Sequence, residues 1–538
     1  MRTFKRVTWL NIGLYIILYC ISVIYISLGI TRALNIYDEG LIVYGAQRVL
    51  WGNVPFRDFW TVYSPGQFYA LAGLFRVFGS MILVERIWDT LFRAAVAIIT
   101  MALVQRLGSR GMGICTWLLV TLWLGFYEFY GYPVYIATFL ILSSFLALLH
   151  LTNSAHPRRM TLLAGLALGA ATLFRHDFGV YALAAEIVVF IPLALKGWVS
   201  LKGERGIHAL VRLGIPFAVG AAVVTVPAAV LLLAAVPASV LWESLVVFPI
   251  KTFPLVRALP YPDLLPNVET NWPYYFPYLI LGLAVFYLVI RLILLRWRKL
   301  SSAEAIRLSG FAYLLLFAAV SINQSRIRAD LIHLVGLLII SFILCFALVS
   351  LVWKTGKLQG ILVLCIALLL LVPFGKQIVD ERVRLFEHGI WADTPNIDHN
   401  IPAAWGMPVE PNQAAAVRYI REIVPEDVPI YIGTSRHDRI FVNDALFYFL
   451  AGRTSATRYN ELHPGVATTQ PVQDEIVNDL ERLQTPVVVR FSMFENVAEP
   501  NESGKSSRIK IVDIYLSREY QVDRSFGPYY QILKSRTG

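Results

Sequence analysis

Two adjacent carboxylates, Asp38 and Glu39, follow the first long apolar run of the chain by about eight residues. Charge beside hydrocarbon is costly and is retained where it faces a water-filled cavity or a partner, so Tyr37-Asp38-Glu39-Gly40 is the expected seat of chemistry. A plainer role competes with this one: Asp38 could cap a helix starting near Leu41, and both can hold at once. Basic residues stand beside other apolar runs, as Arg175-His176-Asp177, as Lys251 and Arg257, and as Arg326-Ile327-Arg328-Ala329-Asp330 with His333. An arginine fork matches phosphate oxygens in bidentate geometry and stays charged in any environment. Anion binding is therefore the chemistry expected of these clusters. For Arg328 the alternatives are an internal pair with Asp330 or a snorkelling helix-end anchor, and for Arg175 a neutralised pair with Asp177 that closes a turn.

The elements that must position these groups are membrane helices. With 57% hydrophobic and 15% charged residues over 538 positions, and mean hydropathy +0.61, the chain is too apolar for a soluble protein. Val7 to Ile30 carries no charge and is long enough to cross roughly 30 Å of hydrocarbon. It exceeds a signal-peptide core and lacks a small-residue cleavage site, so an uncleaved signal anchor is expected. Further spans are expected near 84–105, 112–128, 133–151, 160–175, 179–195, 213–236, 274–295, 308–323, 333–353 and 358–374, about eleven crossings in all.

Charge orients them. If Arg2, Lys5 and Arg6 are cytoplasmic, the other cytoplasmic connections hold Arg106 and Arg110; Arg158 and Arg159; Lys196, Lys202, Arg205 and Arg212; Arg296, Arg298 and Lys299; Lys354 and Lys357. Every one is basic, as the positive-inside rule requires. An odd number of crossings leaves everything after about residue 375 on the outer side. Much of the +11 net charge is then orientation signal, and no basic-aromatic module for nucleic acid is present.

From about residue 376 the apolar runs vanish and charge rises. Helical runs (Asn412 to Ile423, Asp444 to Ala451, Val472 to Leu483) alternate with buried-strand runs (Val428 to Gly433, Pro486 to Phe491), which predicts a small extracytoplasmic α/β domain over 376–538. Cys20, Cys115, Cys345 and Cys365 all fall in expected spans, so no disulfide framework supports that domain.

Asp38-Glu39-Gly40, the pattern Ala46, Leu50, Gly52, Pro55, Phe56, Asp58, Phe59, and Pro65-Gly66 together resemble the first outer loop of GT-C glycosyltransferases. The branch is similar to bacterial protein O-mannosyltransferases and lipid A aminoarabinose transferases. The resemblance covers residues 1–375, with a first outer loop at 31–83, and departs in having Ser64 where many relatives have proline. It implies a polyprenyl-phosphate sugar donor, a cavity facing the outer side of the inner (plasma) membrane, and a first-loop acidic residue as base. Asp38 matches that position. Glu39 cannot point the same way, so one of the two is expected to react while the other positions acceptor or backbone.

Arg328, Asp330 and His333 resemble the R-x-D-x-x-H pattern of that branch. On this reading Arg328 and His333 lead as phosphate partners, with Arg326, Arg175, Lys251 and Arg257 behind them, and His176, Asp177, Asp330, Asp58 and Tyr63 as substrate contacts. Chemistry agrees, since such a transfer needs a base for the acceptor hydroxyl and cations for the departing phosphate. No local spacing marks a metal site, and the resembled branch is usually metal-independent whereas other GT-C enzymes use a divalent cation, so no cofactor is assigned and a divalent cation stays open. The expectation is an inverting glycosyltransferase acting on an exported acceptor. Its rivals are a transporter or flippase of lipid-linked saccharide, which would show internal repeats, and a non-enzymatic sensor or assembly protein. Two groups are expected to be structural: Glu85, Asp89 and Arg93, paired on one helix face, and the helix Gln67 to Phe78, lying in the core or interface.

Overall fold

The computed structural model describes residues 2–151, 156–195, 206–295, 302–387 and 397–536. After α1 (Arg2–Ser27), two short helices, α2 (Asp38–Leu50) and α3 (Gly66–Phe78), fill the first loop. The bundle continues through α4 (Ile82–Leu107), α5 (Arg110–Leu124), α6 (Val134–Leu149), α7 (Pro157–Phe174), α8 (His176–Leu195) and α9 (Ile207–Ala235). A further helical stretch, made of α10 (Ala238–Trp242), a π-helical segment (Glu243–Thr252) and α11 (Phe253–Val256), precedes α12 (Val268–Leu295), α13 (Ser302–Ile327), α14 (Leu331–Trp353) and α15 (Lys357–Glu387).

Every expected span is thus helical. Among the described residues seven helices are long and apolar enough to cross a membrane, the 238–256 stretch being one of them. Its prolines are accommodated. Pro249 has no N–H to offer the Leu245 carbonyl four residues earlier, and it sits in the widened π-helical segment. His176 Nε2 donates to that carbonyl instead, at 2.9 Å.

α14 is apolar all round and buried along nearly its whole length, as a central bundle helix must be. Where α7 meets α9 the backbones touch through glycine: a Cβ at Gly165 would lie 2.0 Å from the Phe217 carbonyl oxygen. Close approach of this kind drives helix association in lipid, where apolar burial gives little. Basic connections gather at one end of the bundle. Lys354 donates to the Gly108 carbonyl at 2.9 Å and Arg106 to the Leu149 carbonyl at 2.9 Å. Lys196, Lys202, Arg205, Arg296, Arg298 and Lys299 lie outside the described residues.

At the other end sits the C-terminal domain. α15 reaches toward it without a break at residue 376, because its last turns are tied to the bundle: Arg382 donates to the Tyr25 hydroxyl (2.8 Å) and the Gly125 carbonyl (2.7 Å), and Glu381 pairs with Arg32 at 2.8 Å. The domain runs α16 (Pro411–Ile423), β1 (Tyr431–Thr434), α17 (Leu446–Ala451), α18 (Gln470–Arg482), β2 (Val487–Phe491), α19 (Ile511–Glu519), β3 (Tyr520–Phe526) and β4 (Tyr530–Ser535). The sheet order is β1-β2-β4-β3, with β1 parallel to β2 and the other pairs antiparallel.

Side chains alternate across this sheet. Tyr431, Val488 and Leu533 face α18 and α19, whereas Ile432, Val489 and Ile532 share a core with α16, α17 and the first loop, including Ile42, Tyr44 and Phe68. The first loop is therefore built into the domain. Leu446 N–H donates to the Ile36 carbonyl at 3.0 Å, and Tyr44 stacks on Tyr448 with ring centroids 4.9 Å apart. A Cβ on Gly40 would stand 2.4 Å from the Leu446 nitrogen. For that reason α2 is buried from Glu39 through Arg48. In α3, Phe68, Leu71 and Phe75 are buried as expected, while Phe78 is exposed.

Candidate functional site

Asp38 opens α2 without capping it. The Asn35 side-chain oxygen takes that task, accepting from the backbone N–H of Tyr37 (3.0 Å) and of Asp38 (2.8 Å). The Asp38 carboxylate is left to the interior, where the Tyr63 hydroxyl donates to it at 3.3 Å. Burial raises its pKa above the ordinary carboxylate range, while His333, Arg257 and the Tyr63 bond pull it down and Asp330 adds to the rise; the net shift is upward. A carboxylate so tuned holds a proton more firmly than an exposed aspartate, which suits a general base.

Glu39 points the other way. Its carboxylate forms a bidentate pair with Arg86 (2.7 and 2.9 Å) and accepts from Asn35 N–H at 3.0 Å, with both side chains fully buried. Arg86 also donates to the carbonyls of Ile30 and Arg32, each at 2.7 Å. This latch fixes the chain between α1 and α2 and commits the Glu39 oxygens to the backbone-positioning side of the two roles expected of the pair.

The cations sort in the same manner. Arg328 is held by Asp330 (2.7 Å), by Glu499 of the C-terminal domain (2.8 and 3.1 Å) and by the Arg257 carbonyl (2.8 Å). Its fork is occupied, so the internal-pair alternative describes it and the leading phosphate role does not. Arg257 is the less committed neighbour. It is buried, makes a 3.3 Å hydrogen bond to the Tyr37 hydroxyl and stands 4.0 Å from Glu499, and its charge acts on Asp38.

His333 donates from Nδ1 to Asp330 at 2.6 Å, and Asp330 also caps α14 by accepting from His333 N–H at 2.9 Å. Asp330 is half-buried, which would raise its pKa, yet His333 and Arg328 outweigh that and hold it down at about 2. Asp330 is thus a fixed anion that orients His333 through its Nδ1 edge.

The remaining candidates stand at the border or beyond it. Arg175 is bound by both oxygens of Asp177 (2.9 and 2.5 Å) and donates to the Tyr132 hydroxyl at 2.6 Å. The Tyr132 ring is 6.5 Å from that of Tyr63 and 6.2 Å from that of His333, so the Arg175–Asp177 pair backs the site without entering it. His176 is a clip between Ser64 Oγ (2.8 Å) and the Leu245 carbonyl. Asp58 pairs with its neighbour Arg57 and accepts from Val54 N–H at 2.7 Å, closing a turn. Arg326 is exposed and bonds Asn323, and Lys251 is exposed on the π-helical segment. Asp89 and Arg93 pair as expected, at 2.7 Å, whereas the buried Glu85 oxygens have no hydrogen-bond partner among the described residues.

Residues that sequence reasoning missed complete the cluster. Tyr37, next to Asp38, donates to Glu461 at 3.0 Å. His463, ringed by Trp60, Phe248 and Phe253 at 5.0 to 6.1 Å, is pushed well below the usual histidine pKa by burial and by Arg257. Glu461 and His463, the two that were missed, come from the C-terminal domain, where no local motif marks them, whereas Tyr37 belongs to the expected first-loop stretch. Among the described residues no group of three or more His, Cys, Asp or Glu side chains is placed to hold a metal ion.

No family model matches the chain and no curated protein matches it in sequence. Solved structures do. ArnT from Cupriavidus metallidurans, bound to undecaprenyl phosphate, aligns over 97% of this chain and 97% of its own at TM-score 0.50 and 13% identity. The archaeal oligosaccharyltransferase AglB from Archaeoglobus fulgidus, in complex with an inhibitory peptide and a dolichol-phosphate, aligns over 90% of this chain and 70% of its own at TM-score 0.54 and 11% identity. The mycobacterial arabinofuranosyltransferase AftD aligns over 97% of this chain but 40% of its own, at TM-score 0.50 and 13% identity. At such identities the likeness is one of fold, and the fold is that of the GT-C membrane glycosyltransferases.

Proposed function

We propose that this chain, built on the GT-C fold, is an inverting glycosyltransferase that takes a sugar from a polyprenyl-phosphate donor and attaches it to an exported acceptor at the outer face of the membrane. One observation carries the reading: a half-buried carboxylate of raised pKa, Asp38, stands on the first loop among Tyr63, Arg257 and His333. Asp38 takes the proton of the acceptor hydroxyl, whose oxygen attacks the anomeric carbon from the face opposite the phosphate. The bond from that carbon to the phosphate oxygen breaks, its electron pair leaves with the lipid phosphate, and the configuration inverts. Arg257 and His333 stabilise the charge that develops on the phosphate, which is worth most in a site shielded from water. Arg328, Asp330 and Glu499 hold these two in place.

Support also comes from the structural neighbours, two of which were solved with a polyprenyl or dolichyl phosphate. A divalent ion could add to the charge on the leaving group, but no step here requires one. The test is mass spectrometry of lipid copurifying with the full chain, followed by incubation in nanodiscs with polyprenyl-phosphate sugars and envelope acceptors. Release of polyprenyl phosphate that depends on acceptor supports the reading. A chain that neither retains nor turns over any such lipid overturns it.

A further inference from the structure

Glu461 belongs to the C-terminal domain, in the segment between α17 and α18, yet the residue is 1% exposed and its carboxyl lies beside Tyr37, Arg257 and Asp38. Its backbone is firmly mounted. Asn460 next to it accepts from Arg48 of α2 at 3.1 Å, and Asn443 donates to the Asn460 carbonyl (2.9 Å) while accepting from Leu462 N–H (3.0 Å). Trp60 N–H donates to the Arg458 carbonyl at 2.9 Å. The first loop and the domain therefore fix this carboxyl from both sides.

The hydrogen bonds place its proton. Arg257 donates to the Tyr37 oxygen at 3.3 Å, so the single Tyr37 proton goes to Glu461 Oε1 at 3.0 Å. Oε1 is then an acceptor, and Oε2 is buried without a hydrogen-bond partner among the described residues. Burial first, and the Asp38 charge in addition, push the Glu461 pKa up to about 8 against the pull of Tyr37 and Arg257. At neutral pH the group carries a proton, and with Oε1 accepting, that proton sits on Oε2. A desolvated acid O–H with nothing to donate to is a costly feature for a domain to hold in place. It makes sense if the partner is a substrate.

We propose that Glu461 donates this hydrogen bond to an anionic phosphate oxygen, and that with Arg257 it forms the receptor for the lipid phosphate. The inference rests on the function proposed above and adds a residue of the C-terminal domain to its site. The choice of ligand follows from the neighbours. Arg257 is a permanent cation beside it, so an anionic oxygen is the acceptor that both groups favour, whereas an ionised Glu461 would repel the same oxygen. The titratable and charged groups facing Glu461 are Tyr37, Asp38, Tyr63 and Arg257. Beyond them, His463 faces Arg257 and His333 faces Asp38.

The experiment is binding of undecaprenyl phosphate to the full chain in nanodiscs from pH 7 to pH 9, with inorganic phosphate as competitor and folding checked by thermal unfolding. Only the protonated form is competent, so wild-type affinity falls about tenfold over that range. Glu461→Gln, which keeps a donor and cannot ionise, binds with a flat pH response, and Glu461→Ala binds about tenfold more weakly at pH 7. Infrared difference spectra add a readout that a purely structural glutamate would not move: the neutral-carboxyl C=O band shifts on adding the lipid and is missing in Glu461→Gln. Inorganic phosphate competes in the wild type and loses its effect in Glu461→Ala. The same pH dependence in wild type and Glu461→Gln, or competition unchanged in Glu461→Ala, overturns this inference alone. A wild-type chain that binds no polyprenyl phosphate overturns the functional reading as well.

Discussion

Arg328 and Glu499 meet fork to fork, at 2.8 and 3.1 Å, across 171 residues of sequence and across the junction between the bundle and the C-terminal domain. Asn501 extends the junction by donating to Glu499 (2.9 Å) and to the Ala258 carbonyl (2.8 Å). The consequence is a division of labour between two arginines that sequence alone ranks the other way.

Arg328→Ala leaves a nearly buried Glu499 carboxylate without its closest cation, so it is expected to destabilise the chain by about 3 kcal/mol, read as a lower unfolding midpoint. Arg257→Ala is expected to weaken donor binding by about ten- to a hundredfold, and Arg257→Lys to recover part of it, because the charge remains and the fork does not. If Arg328→Ala loses donor affinity at unchanged stability, the assignment is reversed.

Asp38→Asn removes the proton acceptor with little change in size. Turnover should fall by two to four orders of magnitude, roughly the contribution of a general base, with donor affinity nearly retained. Because the Asp38 pKa is raised and the ionised form is the active one, wild-type kcat/KM should climb with pH through a midpoint above the ordinary aspartate range. Purified Asp38→Asn protein that transfers sugar at the wild-type rate would remove Asp38 from the chemistry.

Stability carries its own pH signature at Glu461. The unfolded chain releases this proton near the ordinary glutamate pKa, whereas the folded chain keeps it up to about pH 8. Between those limits the folded state binds more protons, so its stability falls as pH rises and levels off above the folded pKa. Glu461→Gln cannot lose that proton. Its melting temperature should therefore exceed the wild-type value by a margin that widens from pH 5 to pH 8, and a constant margin would contradict the buried neutral acid.

Orientation is open to a direct check. The connections carrying Arg106, Arg110, Lys354 and Lys357 share one end of the bundle, and the C-terminal domain occupies the other. A reporter placed in the 354–357 connection is expected to be cytoplasmic and one after residue 538 extracytoplasmic. The opposite result would put Asp38, Arg257 and Glu461 on the wrong side for an exported acceptor.

Much of the bundle was readable because lipid demands long apolar runs, and each one became a helix. The hairpin of β3 and β4 was missed, although Phe526-Gly527-Pro528-Tyr529, with Gly527 at φ +56°, is the turn signal that marks it. β3 is largely exposed and so lacks the apolar alternation that reveals a strand. Asp38 draws attention in the sequence through its place beside the first span. The rank of Arg328 over Arg257 could not be settled from the chain, since it turns on which of them Glu499 engages. Glu461 was invisible for a related reason: an isolated acid in a polar segment looks solvated until the fold buries it.

The sharing of one core by α2 and the C-terminal domain sets an order in time. Leu446, which bonds the Ile36 carbonyl, is made about 400 residues after Asp38, a delay of roughly 20 to 80 s at ordinary translation rates. A helix of 13 residues is marginal alone in water, so through that interval the first loop has no lasting form. The core that the first loop shares with the domain therefore forms only once the domain has been made, long after α2 has left the ribosome.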